Sequence, residues 1–176
     1  MRKFTVIAGL LLAATALPAA AMTPGQADCP VALAPAGLAA ATADSLLNYS
    51  DDKGLDPKVE AALDKLVKAC IARERVTADK QEAYTNYVMS ALVVSEMKGR
   101  LAARSVSVTV IDNAFDIGPG RSNPQSKDLD KAAFAEIVDK MRAGGVDINT
   151  LSDAALNDIS TYVATASSMY RLAATL

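Results

Sequence analysis

Asp56-Pro57-Lys58-Val59-Glu60-Ala61-Ala62-Leu63-Asp64-Lys65-Leu66-Val67-Lys68-Ala69-Cys70-Ile71 is the stretch that decides the fold class. Asp56 offers a carboxylate to free amide groups at a helix start, and Pro57 suits the first helical position. Leu55, Val59, Ala62, Leu63, Leu66, Val67, Cys70 and Ile71 then recur as one apolar stripe with a 3.6-residue period. Lys58, Asp64, Lys65, Lys68 and Arg75 mostly face away from it. The stripe places Cys70 on the buried face of an amphipathic helix.

The same grammar extends on both sides. Upstream, Leu38, Thr42, Ser45, Leu46 and Tyr49 repeat at helical spacing after Pro35, and Asn48 to Gly54 reads as a surface turn. Residues 22–35 are expected to form a loose arm, because Pro24-Gly25, Pro30 and Pro35 discourage helix. Downstream, Thr77 precedes a face made of Tyr84, Tyr87, Val88, Ala91, Leu92, Val94, Ser95 and Lys98. Ser105 to Val110 alternates like a strand, but no second strand run offers partners for its backbone groups. The expectation is therefore one long helix continuing to about Asn113.

Gly118-Pro119-Gly120 and Asn123-Pro124 mark a loop. A fourth helix starts at Ser126 or Asp128, carries Leu129, Ala133, Phe134, Ile137, Val138 and Met141, and stops at Gly144-Gly145. A fifth starts near Thr150 and buries Leu156, Ile159, Val163, Ala166 and Tyr170. The predicted fold is all-α, a compact bundle of four to five amphipathic helices. Residues 36–176 form its single domain.

The amino terminus speaks to location. Arg2 and Lys3, an apolar run from Phe4 to Ala16 and Ala19-Ala20-Ala21 have the layout of a secretory signal peptide over residues 1–21. The run falls short of the roughly 20 apolar residues a spanning helix needs, and no later stretch is long and apolar enough to cross a bilayer. A periplasmic or secreted bacterial protein, with its signal removed, is expected. In an oxidising compartment, Cys29 and Cys70, the 2 cysteines of the chain, are expected to form a disulfide tying the arm to the Cys70 helix.

Composition removes whole classes of chemistry. The chain has no histidine, which excludes Ser-His-Asp and Cys-His catalysis and histidine metal sites. Neither a phosphate-binding loop nor a dinucleotide fingerprint is present, and no cofactor or metal is expected. The 18 basic and 20 acidic side chains are interspersed, without the basic patch that nucleic-acid binding needs. Glu96 reads as the partner of Arg100, four positions on, rather than a general acid. Glu74 and Asp79 read as surface charges. Asp147, Asn149, Leu151, Asp153 and Asp158 approach a calcium-loop rhythm, but Ser152 stands where the loop needs glycine, and a helix cap is the better reading. Leu151 to Val163 resembles the terminal helix of small cytochromes c. The haem-attachment run C-x-x-C-H is missing, so no role is carried over.

The residues singled out for interaction are Tyr84, Tyr87, Tyr162 and Tyr170, as large amphipathic side chains, and Arg121 in its glycine- and proline-rich loop. The leading expectation is a non-enzymatic exported or periplasmic binding or accessory protein. It would use a helical surface to contact another periplasmic or envelope protein. A small-ligand or lipid-binding bundle is the second reading and a carboxylate-based enzyme the third. A partner binder should expose an apolar patch near the tyrosines, a carrier should hold an apolar pocket with few polar groups, and an enzyme should gather carboxylates in a cleft.

Overall fold

In the computed structural model of the protein, Asp56 accepts hydrogen bonds from the backbone amides of Lys58 and Val59 and opens the helix Pro57–Glu74. Val59, Leu63, Leu66, Val67 and Cys70 are its buried residues, so the apolar stripe is the inward face. The structure describes residues 22–48, 54–125 and 128–176. The expected signal peptide, Tyr49, most of the 48–54 turn and the candidate helix start at Ser126 lie outside the described residues.

The class is all-α, but the described residues form seven helices rather than four or five. They are α1 (Pro24–Leu33), α2 (Leu38–Leu47), α3 (Pro57–Glu74), α4 (Gln81–Ala103), α5 (Val108–Phe115), α6 (Lys131–Ala143) and α7 (Asp153–Ala173). Two local features account for the difference.

The first is α1, which occupies the expected loose arm. Thr23 accepts from the Gln26 amide while the Gln26 side chain accepts from the Thr23 amide, a reciprocal cap, and Pro24 fills the first turn. Pro30 sits inside the helix and lacks the N–H that would have bonded to the Gln26 carbonyl. The Tyr84 hydroxyl donates to that carbonyl instead, at 2.9 Å, and the Tyr87 hydroxyl donates to the Ala27 carbonyl at 3.2 Å. The Cys29–Cys70 disulfide, as expected, ties this segment to α3, and both cysteines are fully buried. Tertiary partners thus complete a helix that proline alone would discourage.

The second is a break in the expected long helix. Ser105 adopts a left-handed conformation (φ 60°), and the Val106 amide folds back onto the Leu101 carbonyl. Ser107 then accepts from the Val110 amide and starts α5. The alternating serines therefore supply a turn and a cap, neither a strand nor uninterrupted helix.

Helix α4 is the central element. Tyr84, Val88, Leu92, Val93, Met97 and Leu101 are completely buried. Its most extensive packing is along α7, with α2 against another side, while α1 packs on α3. Arg100 links α2 to α4, with Nη2 2.6 Å from Asp44 and Nε 2.8 Å from Glu96. Lys80 donates to the backbone oxygen of Leu176, which is itself buried. No single helix among the described residues is long and apolar enough to cross a membrane.

Candidate functional site: an apolar groove between α6 and α7

Helix α6 makes its close backbone approach to α5 rather than to α7. Gly144, just past its end, explains how near the two lie, because a β-carbon there would stand 2.5 Å from Val110 Cγ1. The Asp130 side chain caps α6 at the Ala133 amide. The chain then reverses through the turn Ile148–Thr150, where Asp147 accepts from the Asn149 amide, and Ser152 caps α7 at the Ala155 amide. Held by α5 and by this turn, α6 leaves a groove of about 750 Å³ between itself and α7.

Ile137, Val138 and Met141 form one wall, and Leu156, Ile159 and Val163 form the other. Phe115 and Leu129 also contribute, and Phe134 stands at the rim, 50% exposed. Lys131 to Met141 spans about 15 Å along the helix axis. The turn end, at Met141, Ile148 and Leu156, is apolar. The exposed Ser160 lines the groove one turn further along α7, and Gln125, Asp130, Lys131, Ser167 and Ser168 lie toward the other end.

Ser167 is the unusual member. It is 1% exposed, lines the groove, and its Oγ has no hydrogen-bond partner. A buried hydroxyl left in that state costs about 1–3 kcal/mol. Among the described residues, it is the one buried side-chain polar atom without a partner.

The residues singled out from sequence lie elsewhere and form two internal groups. Tyr84 and Tyr87 stack with ring centroids 6.0 Å apart and complete α1 through their hydroxyls. Burial pushes both hydroxyls up to about 12, with the nearby Glu74 carboxylate adding to the effect at Tyr84 and Tyr170 at Tyr87. Tyr162 is completely buried, and its hydroxyl donates to Asp112 at 2.7 Å. Burial, and then this carboxylate, hold its proton far more tightly than usual. Tyr170 is half-buried, and desolvation raises its pKa as well. Arg121 folds back onto α5, donating to the Asp112 carbonyl and the Asn113 side chain, each at 2.9 Å. Its glycine- and proline-rich loop is closed by Asn123, whose side chain is buried and bonded to Gly118 and Arg121.

The acidic candidates are engaged too. Glu96 accepts from Arg100, as its spacing suggested. Asp158 is buried against Arg104 Nε at 2.9 Å, and Asp147 belongs to the turn before α7. No group of three or more His, Cys, Asp or Glu residues among the described residues is placed to hold a metal ion. The groove itself has no sequence motif. The exposed Phe134 in the α6 stripe is its one legible trace. Compared with known protein families, curated proteins and solved structures, the chain matches none of them.

Proposed function

We propose that the protein is an exported, non-enzymatic binding protein that takes a small apolar molecule into the α6–α7 groove. The observation that carries this reading is the groove itself, with apolar walls along two helices and a few polar groups among its lining residues. Its volume lies within the range of pockets that enclose small ligands. This ranks the small-ligand reading above recognition through the tyrosines. Three of those rings are in the core, with hydroxyls committed to Gln26, Ala27 and Asp112.

A carboxylate enzyme has less support. Asp130 is the one carboxylate lining the groove among the described residues, and it caps α6. General acid–base chemistry on a glycoside calls for a facing pair. Export is supported by the basic-apolar-alanine pattern of residues 1–21 and by a disulfide suited to an oxidising compartment.

The test is capture of the tagged protein from a periplasmic extract, followed by mass spectrometry of bound small molecules and proteins. A reproducible stoichiometric lipid or metabolite is expected. A stoichiometric protein partner, with no small molecule and with the groove face protected from exchange by that partner, would overturn the reading.

A further inference from the structure

Val31-Ala32-Leu33-Ala34-Pro35-Ala36 ends α1 and turns the chain toward α2. The whole run is apolar, and all of it except Ala34 is exposed, with Val31 at 51% and Leu33 at 41%. Burial of such a run would be favourable, yet it is held outward. The Cys29–Cys70 disulfide and the hydroxyls of Tyr84 and Tyr87 fix α1 from its inner side. Taken together, α1 and α2 have the length and apolar composition of a membrane segment, but they meet at a 90° bend. Leu38, Thr42 and Ala43 commit part of α2 to the core. The apolar surface left outside is the corner, with Leu46 and Leu47 further along α2.

Two lysines stand beside this corner. Leu33 and Pro35 line a depression together with Lys58 and Lys65 of α3, and no carboxylate lines it. The lysines are seven residues apart, two helical turns, and so share a face with Ala61, Ala62 and Ala69. Glu60 and Asp64 point about 100° or more away from both lysines, at about 100° per residue. Asp64 is also paired with Lys68 at 2.7 Å, whereas neither Lys58 nor Lys65 is in an ion pair among the described residues. The one carboxylate of α1, Asp28, lies a turn back from Val31, near Tyr87.

We propose that the α1–α2 corner docks the protein on a membrane surface carrying anionic phospholipid. Val31, Leu33 and Pro35 enter between the headgroups, and Lys58 and Lys65 meet their phosphates. Surface binding of this kind grows with buried apolar area and with attraction to anionic lipid, and the corner supplies both. The lysine stems lie along apolar surface while their ammonium groups stay at headgroup level. Protein interfaces are anchored by aromatic and arginine side chains, and neither the corner nor the depression has one. Short aliphatic side chains beside lysines suit a fluid partner that asks for no fixed hydrogen-bond geometry. The corner is made of other elements than the α6–α7 groove, so this inference does not depend on a ligand there.

The test is flotation of the purified protein with vesicles of phosphatidylcholine alone, or of equal parts phosphatidylcholine and phosphatidylglycerol. The wild type is compared with Lys58→Gln/Lys65→Gln, with Val31→Ser/Leu33→Ser, and with Lys140→Gln/Arg142→Gln, which removes the same charge from α6. All substituted positions are exposed, and each variant is checked by circular dichroism. The wild type should float with the mixed vesicles and far less with phosphatidylcholine alone. Loss of Lys58 and Lys65 should weaken the association about tenfold to thirtyfold. The serine pair should weaken it about tenfold, and the α6 pair about twofold or less. No flotation with mixed vesicles would overturn the proposal, as would equal binding to phosphatidylcholine alone. So would an α6 pair that weakens binding as much as the α3 pair, or a serine pair without effect. A dimer seen by sedimentation without vesicles, and dissolved by Val31→Ser/Leu33→Ser, would show a second copy covering the corner and would also overturn it.

Discussion

The side of α7 that meets α4 and the side that meets α6 are made of similar residues, yet one is filled and the other is not. On its buried side, Tyr162 and Ala166 are fully inaccessible, and α4, along which α7 packs, has its own Leu92, Val93 and Met97 inaccessible. Toward α6, Ile159, Ile137 and Met141 are buried, but Leu156 and Val163 are only half-covered, and Phe134 on the facing helix is half in solvent. Polar atoms follow the same division. The Tyr162 hydroxyl has Asp112, while the Ser167 hydroxyl has nothing. The difference teaches that an apolar stripe fixes which way a helix faces, and the anchoring of its neighbour fixes whether that face is filled.

The largest effect should come from the anchored half. Reducing the Cys29–Cys70 bond, which spans a sequence separation of 41, should lower stability by roughly 4 kcal/mol on loop-closure grounds. Denaturant unfolding with and without reductant measures this. Apolar-probe binding in the groove should survive reduction in the protein that remains folded, because the disulfide joins α1 and α3. Loss of both together would erase the distinction between the halves.

Next come paired truncations. Leu92→Ala empties a fully buried site and should cost about 3 kcal/mol, whereas Leu156→Ala at the groove should cost about 1 kcal/mol. Equal losses in chemical denaturation would mean that both sides of α7 are packed alike.

A smaller effect tests how α1 is completed. Tyr84→Phe leaves the Gln26 carbonyl without its donor and should cost about 1–2 kcal/mol. In a Pro30→Ala background, the restored backbone N–H can serve that carbonyl, so the cost of Tyr84→Phe should shrink. A double-mutant cycle with no coupling would contradict the account of the proline.

The mildest probe is alkali. Tyr84 and Tyr87 hold their protons up to about 12, above the usual tyrosine value of 10.0. The folded state therefore binds protons that the unfolded state has released. Their contribution to stability is intact below pH 10.0 and is lost as pH climbs toward about 12. Phenolate absorbance followed against pH, beside an unfolding curve at each pH, should show both trends. Normal titration of all tyrosines in the folded protein would place their hydroxyls in water.

Much of the fold was legible in the sequence because caps and stripes are local. Asp56-Pro57, the Val59-to-Cys70 stripe and the Ser152 start of the last helix lie where the pattern puts them or close to it. Misreadings arose where a distant partner or a single serine decided the outcome. Pro30 is tolerated because Tyr84 and Tyr87 arrive from more than fifty residues away, and no local pattern announces that. Ser105 takes a left-handed turn usually left to glycine. The disulfide was legible from cysteine pairing. The groove was not, because Leu156, Ile159 and Val163 look the same in sequence whether or not a neighbour covers them. The tyrosines drew attention by size, but their hydroxyls are spent on internal acceptors.

The most direct test of the unfilled side is to fill it. Val163→Trp should be measured for thermal midpoint and for binding of N-phenyl-1-naphthylamine, beside the wild type. The account predicts that the wild type binds the probe, and that the variant loses it while keeping or raising the midpoint, because the new ring occupies open apolar space. A wild type that binds no probe would contradict the account. So would a variant whose midpoint falls as an overpacked core's does.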